Sequence, residues 1–193
     1  IFTMGANSWR HEDEWPLDRS VVTPLFLHSS GRAGSVPDDG RLTVDPPGDE
    51  PVDRFNYDPA EPVPTLGGVL SVHMMTAHAE EPLEAGAVDQ RRLEKRGDVL
   101  VYTTPTLAEP VEVTGPVSVV LYAESNARDT DFTARLVDVT PDGTSCLVTE
   151  GILRARYRNG LEQTELLALG IAEQLEIVLY PTSMVFAAGH RIR

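Results

Sequence analysis

A glycine and a histidine, Gly189 and His190, lie near the end of the chain. In one large class of enzymes with a Ser/His/Asp triad, the histidine follows the serine in the chain and often lies in such a late Gly-His pair, where it takes a proton from that serine. That serine normally occupies a tight turn spelled Gly-x-Ser-x-Gly, because small neighbours let the turn form. The sequence has no such pentapeptide, and Ser29 and Ser30 run into a loop rich in glycine and proline. We therefore predict that His190 is not a general base and that this sequence contains no catalytic residue.

Acidic residues in two segments raise the question of a bound calcium ion. They are Asp129 and Asp131 in the first segment, and Asp138 and Asp142 in the second. Calcium takes six to eight oxygen ligands, and the spacing of these aspartates is not that of an EF-hand. Asp142 precedes Gly143, a pair that favours a hairpin turn without any ion. We expect solvated or salt-bridged carboxylates, no metal site and no cofactor.

Two tryptophans flank an acidic stretch near the start of the chain. Trp9 and Trp15 enclose the segment 10–14, which contains His11, Glu12, Asp13 and Glu14. Exposed tryptophans of this kind can form a platform for a sugar or another substrate. They can equally pack a crossing segment against a core, with the acids outside. The second arrangement is the one that we predict.

The single cysteine and one basic run have simpler interpretations. Cys146 has no second cysteine with which to form an intrachain disulfide or a zinc site, and we predict a buried, unreactive thiol. The basic run consists of Arg91, Arg92, Lys95 and Arg96, and it alternates with Asp89, Glu94 and Asp98. Local ion pairing explains this run better than a phosphate site does.

The charge of the chain narrows its possible partners. Among 193 residues, 30 are acidic and 16 basic, which gives a net charge of -14. Such a chain repels nucleic-acid phosphates and anionic lipid headgroups, so we expect neither kind of partner. No apolar stretch reaches the roughly 20 residues of a membrane-spanning helix. We expect a cytoplasmic protein, although an upstream secretion signal is compatible with the sequence.

Alternating runs in the second half of the chain predict antiparallel strands. In 131–136, Phe132, Ala134 and Leu136 alternate with polar residues, and Leu175, Ile177 and Leu179 alternate similarly in 173–180. Apolar residues at every second position, with the intervening residues exposed to solvent, are typical of strands in antiparallel sheets. Many strands with almost no helical periodicity favour an all-β fold, a two-sheet jelly-roll β-sandwich.

The first half of the chain is less regular. Strands are expected in 20–30 and 41–45, and residues 46–68 contain too many prolines for a regular element. We expect these residues to form an ordered connection that Phe55 and Tyr57 could pin to a core. The segment 67–90 is ambiguous between a short helical turn and none.

Four co-linear segments of the sequence carry a family resemblance. They are FTMGANSWRHEDEWPL, YDPAEPVPTLGG, the long run from DQRRLEKRGDVL to GILRARYR, and VFAAGHRIR. Together they resemble the C-terminal part of the cocaine esterase and X-prolyl dipeptidyl-peptidase family of acyl hydrolases. The resemblance covers nearly the whole chain, and several motifs in the same order make it specific.

The resemblance implies a multi-domain serine hydrolase whose triad lies upstream of this sequence. It implies an α/β-hydrolase domain, a helical cap and a C-terminal jelly roll similar to galactose-binding domains. Residues 1–19 would then end the hydrolase domain and connect it to the jelly roll, which would occupy 20–193 and be truncated at its end. His190 would belong to a strand in which Ile192 faces inward and Arg191 and Arg193 face outward. An open sheet edge there could support a homodimer.

These expectations lead to two functional hypotheses, and to a third, a purely structural or assembly domain, which differs from the first only in that the domain does not touch substrate. In the first, the chain is the non-catalytic β-sandwich domain of a serine hydrolase that cleaves peptide, ester or amide acyl bonds. It would pack on the upstream α/β-hydrolase domain and help to wall the active site, which takes a small acyl or peptide substrate. In the second, the chain is a free-standing carbohydrate- or ligand-binding module. A stacked aromatic patch on one sheet face would favour the second, but the twelve aromatic residues are mostly dispersed.

Overall fold

The structure is a computed structural model that describes residues 1–69 and 84–193. Strands dominate these ranges, with one short helix and one 3₁₀ turn. In chain order the elements are β1 (Phe2–Thr3), β2 (Ser8–Trp9), β3 (Phe26–His28), β4 (Arg41–Thr43), α1 (Arg91–Glu94), β5 (Val111–Ala123), β6 (Asp131–Val139), β7 (Ser145–Arg154), the 3₁₀ turn (Ala155–Tyr157), β8 (Glu173–Phe186) and β9 (Arg191–Ile192). No helix in the described ranges is long and apolar enough to cross a membrane.

The longest strands, β5 and β8, pair antiparallel along almost their whole length. The predicted alternation is confirmed in β8, because Leu175, Ile177 and Leu179 are at most 2% exposed. Val178 and Tyr180, on the other face of the same strand, are 63% and 57% exposed. One face of this sheet therefore forms the core, as the period of two predicts.

The second sheet has the order β7-β6-β9, and every pair in it is antiparallel. Its pairing register shifts between Leu136 and Val137, where β7 carries an extra residue, Val148. Such a bulge bends and twists the strand. Beyond it, Val137 and Val139 are both nearly fully buried, at 4% and 1% exposure.

A tight turn joins β6 to β7 and confirms the predicted Asp142–Gly143 hairpin. The N–H of Thr140 donates to the carbonyl of Thr144 at 2.9 Å, and the N–H of Gly143 donates to the carbonyl of Thr140 at 2.9 Å. Gly143 has φ 85°, a backbone conformation that glycine adopts without steric cost. The carboxylate of Asp142 accepts hydrogen bonds from the hydroxyl and N–H of Thr144.

The two sheets come closest where β7 passes β8. A Cβ added to Gly151 would lie 2.3 Å from the carbonyl oxygen of Val178, which is too close for any side chain. Nearby, the hydroxyl of Thr149 donates to the carbonyl of Tyr180 at 2.7 Å. Glycine at position 151 thus lets the backbones approach, and the all-β sandwich that the sequence predicts is confirmed.

The connection 46–68 is ordered, but the aromatic pair does not hold it. Phe55 and Tyr57 are 42% and 47% exposed, so the expectation that they pin the loop to a core is wrong. The carboxylate of Asp53 anchors the connection instead. It accepts hydrogen bonds from the hydroxyls of Ser29 and Tyr102, at 2.6 and 2.7 Å. Of the ambiguous segment 67–90, the residues 70–83 lie outside the described ranges.

Candidate functional site

His190 lies just before β9 rather than in the strand itself, and its side chain is bonded to β6 of the second sheet. Nδ1 of His190 lies 2.9 Å from Oδ1 of Asp138, which is only 5% exposed. The predicted role of His190 as a hydrogen-bonding member of the sandwich is confirmed. Both candidate serines form hydrogen bonds to carboxylates: the hydroxyl of Ser29 donates to Asp53, and that of Ser30 donates to Asp39.

The strand β9 follows the predicted arrangement only in part. Ile192 is buried at 7% exposure and packs against Met184 and Phe186. The side chain of Arg193 does not face solvent, since it is only 16% exposed. Its guanidinium lies 2.5 Å from a carboxylate oxygen of Glu94, which α1 supplies. This ion pair between α1 and the residue after β9 is the long-range contact that the local sequence could not indicate.

The other predicted acidic residues form ion pairs. The carboxylate of Asp129 lies 2.7 Å from Arg154 and 2.5 Å from Arg156, and Asp131 lies 2.9 Å from Arg154. These partners confirm the prediction of salt-bridged carboxylates for both aspartates. Among residues 1–69 and 84–193, no group of three or more His, Cys, Asp or Glu side chains is placed to hold a metal ion.

The basic run 91–96 shows the local ion pairing that its sequence predicts. Arg91 pairs with Asp89 at 2.6 Å, and Arg96 pairs with Asp98 at 2.7 Å. These arginines hold the pKa of each aspartate below its usual value. Two of the four basic side chains are thus neutralised within two residues of their own positions.

Cys146 lies in β7 and is half-buried. Burial raises the pKa of its thiol, and the nearby carboxylates of Asp138, Asp89 and Asp142 raise it further. A raised pKa disfavours the thiolate, which is the nucleophilic form of cysteine. The prediction of an unreactive thiol agrees with these surroundings, although the residue is less buried than expected.

A buried histidine that sequence reasoning missed lies at the end of β3. His28 is 8% exposed, and its Nδ1 lies 2.6 Å from Oε1 of Glu50. Its Nε2 lies 2.9 Å from the carbonyl oxygen of Asp45 and 3.0 Å from the hydroxyl of Thr43. The side-chain hydrogen bond to Glu50 raises the pKa of His28 and lowers that of Glu50. The only signal in the sequence was a histidine at the end of an apolar run.

The exposure of two tryptophans near the start of the chain contradicts the prediction that they pack against a core. Trp9 is 79% exposed and Trp15 is 47% exposed, so the expectation that both pack against a core is wrong within this chain. Trp9 contacts Phe2, which is 39% exposed, with ring centroids 5.4 Å apart and planes tilted by 59°. We call Phe2, Trp9 and Trp15 the N-terminal exposed aromatics. Contiguous exposed apolar patches mark contact surfaces, and Phe2 and Trp9 form such a contiguous pair.

Several contacts fix the segment that carries these aromatics on one end of the β5–β8 sheet. The N–H of Met4 donates to the carbonyl of Ser183 at 2.9 Å, which continues the sheet beyond β8. Arg10 binds the carboxylate of Glu112, an ion pair that lowers the pKa of Glu112 to about 2. The hydroxyl of Ser20 donates to the carbonyl of Thr114 at 3.0 Å. The aromatics therefore lie on a segment that the sandwich holds in place.

The outer face of the β5–β8 sheet does not provide the aromatic platform that a sugar-binding module would need. Tyr122 and Tyr180 are 76% and 57% exposed on this face. Tyr122 lies opposite Gln174, six residues along β8 from Tyr180. At about 3.3 Å per residue, the two rings are roughly 20 Å apart, which is too far to stack on one sugar.

Comparison with known proteins identifies the family. The profile of the X-Pro dipeptidyl-peptidase C-terminal non-catalytic domain matches residues 1–193. The chain belongs to this family. The match extends over the N-terminal exposed aromatics as well as the sandwich, and the family is described as a non-catalytic domain.

Relatives of this domain are about three times longer than the chain. Cocaine esterase of Rhodococcus sp. (strain MB1 Bresler) is 44% identical over 192 residues, which are all of this chain and 32% of the esterase. An aminopeptidase from a marine sediment Thaumarchaeota archaeon superposes with a TM-score of 0.79 at 28% identity, over 99% of this chain and 31% of that one. An α-amino acid ester hydrolase has a TM-score of 0.79 at 26% identity, over 100% and 32%. The chain thus spans about a third of the length of each.

Proposed function

We propose that this non-catalytic domain packs on the catalytic domain of a longer serine hydrolase and helps to wall its active site. The protein would cleave the acyl bond of a small peptide, ester or amide through an acyl-enzyme, with the reacting serine supplied by the upstream part. The relatives support this class of reaction, since their names describe an esterase, an aminopeptidase and an ester hydrolase. Which of the three bonds is cleaved depends on residues upstream of this chain.

The N-terminal exposed aromatics carry the proposal. A tryptophan that is 79% exposed leaves a large apolar surface in water, and buried aromatic anchors dominate the energy of protein interfaces. Trp9 and Phe2 lie at the start of the family match, beside the point where an upstream domain would join. Packing of that domain over Trp9 would remove this surface from water.

We also propose that the boundary between the two domains falls near residue 19. β1 and β2 pair with each other as a two-stranded sheet, and Met4, directly after β1, ties this sheet to β8 through a single bridge to Met184. Residues 1–19 would then form the connection to the catalytic domain, and 20–193 the sandwich, in a cytoplasmic protein. The outer edge of β6 over residues 131–136 has no partner strand within the described chain, and it is the edge at which we would place a homodimer contact.

A chimera with the cocaine esterase of Rhodococcus tests the packing. The matching third of that esterase is replaced by this chain, and the product is assayed with a chromogenic short-chain ester and by calorimetry. We expect ester hydrolysis and one cooperative unfolding transition that includes both parts. Two independent transitions at the temperatures of the separate parts would show that the domains do not pack, and would contradict the proposal.

The isolated chain serves as the control for catalysis. Incubated with a fluorophosphonate probe, which labels activated serines, it should show no covalent adduct by intact mass spectrometry. The chimera should gain one adduct in its esterase-derived part. A labelled serine within residues 1–193 would contradict the placement of the nucleophile upstream.

A further inference from the structure

A cleft of about 370 Å³ lies between β4, β9 and the segment 103–106. Its lining includes two arginines, Arg41 and Arg191, one carboxylate, Asp38, and the threonines at positions 43, 103, 104 and 106. No part of this cleft belongs to the N-terminal exposed aromatics, and the packing proposed above does not depend on it. The cleft is therefore a second candidate site, independent of that packing.

The hydroxyls of the cleft are arranged to donate hydrogen bonds. Oγ1 of Thr103 already accepts a hydrogen bond from Nε of Arg193, at 2.9 Å. Oγ1 of Thr104 likewise accepts one from the N–H of Ile192, at 3.0 Å. A hydroxyl that accepts through one lone pair still has its own hydrogen to donate. Both threonines can therefore offer a donor to a molecule in the cleft.

The charge of the cleft is opposite to that of the whole chain. The side chain of Arg191 reaches one carboxylate, that of Asp38, only at 4.0 Å, and Asp38 is itself 79% exposed. Within residues 1–69 and 84–193, no carboxylate lies within salt-bridge distance of Arg41. An exposed pair at 4.0 Å neutralises little charge. Two arginines and one aspartate thus line this cleft, which leaves an excess of one positive charge there on a protein whose net charge is -14.

The backbone around the cleft is held by hydrogen bonds between its walls. The N–H of Leu42 donates to the carbonyl of Thr103 at 3.0 Å, and the N–H of Thr103 donates to the carbonyl of Gly40 at 3.1 Å. The N–H of Thr104 donates to the carbonyl of Ile192 at 2.9 Å, so β9 is tied to the same segment. Donors on such a frame need little reordering when a ligand binds.

We propose that this cleft binds a small oxyanion, a carboxylate or a phosphate group, through Arg41, Arg191 and the threonine hydroxyls. The planar guanidinium presents parallel N–H groups that match the oxygens of either anion, and charge-assisted hydrogen bonds of this type are the strong ones. Threonine hydroxyls supply neutral donors to the remaining oxygens. A cationic ligand would be repelled by the arginines, and a neutral ligand would bind them without the charge on the acceptor that strengthens these bonds.

The test is a titration of the ¹⁵N-labelled 193-residue chain, followed by amide chemical shifts. One arm uses inorganic phosphate and the other uses N-acetylglycine, a simple carboxylate, with sodium chloride keeping the ionic strength constant. We expect saturable shifts confined to residues 40–43, 103–106 and 191. The arm with the lower Kd identifies which oxyanion the cleft prefers.

Two substitutions in the cleft and one outside it make the result specific. Arg41→Gln and Arg191→Gln each remove one charged donor and should raise the Kd about tenfold, the usual effect of losing such a bond. Arg91→Gln, which removes an exposed arginine paired with Asp89, should leave the Kd unchanged. Arg41→Lys retains the charge without the planar fork and should give an intermediate Kd.

Two results would overturn the proposal. The first is a shift pattern that does not saturate or that spreads over the whole surface, as general salt effects do. The second is a Kd that Arg41→Gln and Arg191→Gln change no more than Arg91→Gln does. Loss of the dispersed amide spectrum would show that an arginine variant does not fold. In that case Thr106→Val replaces it, because this change removes one of the lining hydroxyls and should weaken binding without removing a charge.

Discussion

Nδ1 of His190 lies 2.9 Å from Oδ1 and 3.0 Å from Oδ2 of Asp138, beside the two residue pairs that join β9 to β6. Asp138 is 5% exposed, whereas the side chain of His190 is 21% exposed. The contact therefore supplies a buried carboxylate with a partner at the edge of the sandwich. It gives the late Gly-His pair a structural role.

Substitution of His190 should lower the unfolding free energy more than substitution of Asp138 does. His190→Ala leaves the buried carboxylate of Asp138 without this partner and should cost about 2 to 3 kcal/mol of unfolding free energy. Asp138→Asn retains an acceptor of the same shape beside a half-exposed histidine and should cost only about 1 kcal/mol. Urea unfolding of both variants measures the difference. Equal losses, or a larger loss for Asp138→Asn, would contradict this account.

The close approach of β7 to β8 predicts a strong effect at one glycine. Gly151→Ala places a methyl group 2.3 Å from the carbonyl oxygen of Val178, so the strands must move apart. We expect a loss of about 2 to 3 kcal/mol, typical of overpacking in a core. Gly97→Ala is the control, since a Cβ there meets no atom within 4 Å. A similar midpoint of thermal unfolding for the two variants would show that the sheets are not in contact at Gly151.

The pair of His28 and Glu50 predicts a dependence of stability on pH. The raised pKa of His28 stabilises the fold below its ordinary value of 6.5, and this contribution is lost as the pH rises through the folded pKa. The lowered pKa of Glu50 stabilises the fold above 4.5, and that contribution is lost as the pH falls through its folded pKa. His28→Gln should therefore destabilise most between 4.5 and 6.5. Denaturant midpoints across a pH series provide the measurement, and a difference that grows toward alkaline pH would be inconsistent with the pair.

The thiol of Cys146 should react slowly in the folded protein. Its pKa is raised by burial and by the carboxylates around it, so less thiolate is present at mildly alkaline pH. Alkylation by iodoacetamide should be several-fold slower in the native chain than in the chain unfolded by urea. Mass spectrometry of timed samples measures both rates. A native rate equal to or above the unfolded rate would mean that the thiol is activated.

Local periodicity was sufficient to predict the long strands of the second half. The alternation of Leu175, Ile177 and Leu179 with polar or exposed residues determines which face is buried, and the Asp142–Gly143 pair determines the turn between β6 and β7. Both depend on neighbours in sequence. The bulge at Leu136 and Val137 could not be predicted in this way, because it depends on the register of the partner strand.

Residues whose surroundings come from distant parts of the chain were predicted less well. Arg193 was expected to face solvent, but Glu94 reaches it from α1. His28 meets Glu50 across the loop that follows β4, and no local pattern indicates that contact. Trp9 was expected to pack the crossing segment against a core, but it is 79% exposed in this chain. The proposed contact with an upstream domain would account for that exposure.

If another domain covers the N-terminal exposed aromatics, substitution of Trp9 should have a different effect from substitution of a side chain that is equally exposed elsewhere. Trp9 and Tyr122 are similarly exposed, at 79% and 76%, but only Trp9 belongs to the proposed contact. In the isolated chain, Trp9→Ser and Tyr122→Ser should each change the unfolding free energy by less than about 0.5 kcal/mol, as surface substitutions usually do.

The decisive measurement is the Tm of the cocaine esterase chimera with each substitution. Trp9→Ser should lower this Tm and the ester hydrolysis that survives heating, because loss of an interface tryptophan costs about 2 kcal/mol or more. Tyr122→Ser should leave both unchanged. An identical Tm for the Trp9→Ser, Tyr122→Ser and unsubstituted chimeras would contradict the account.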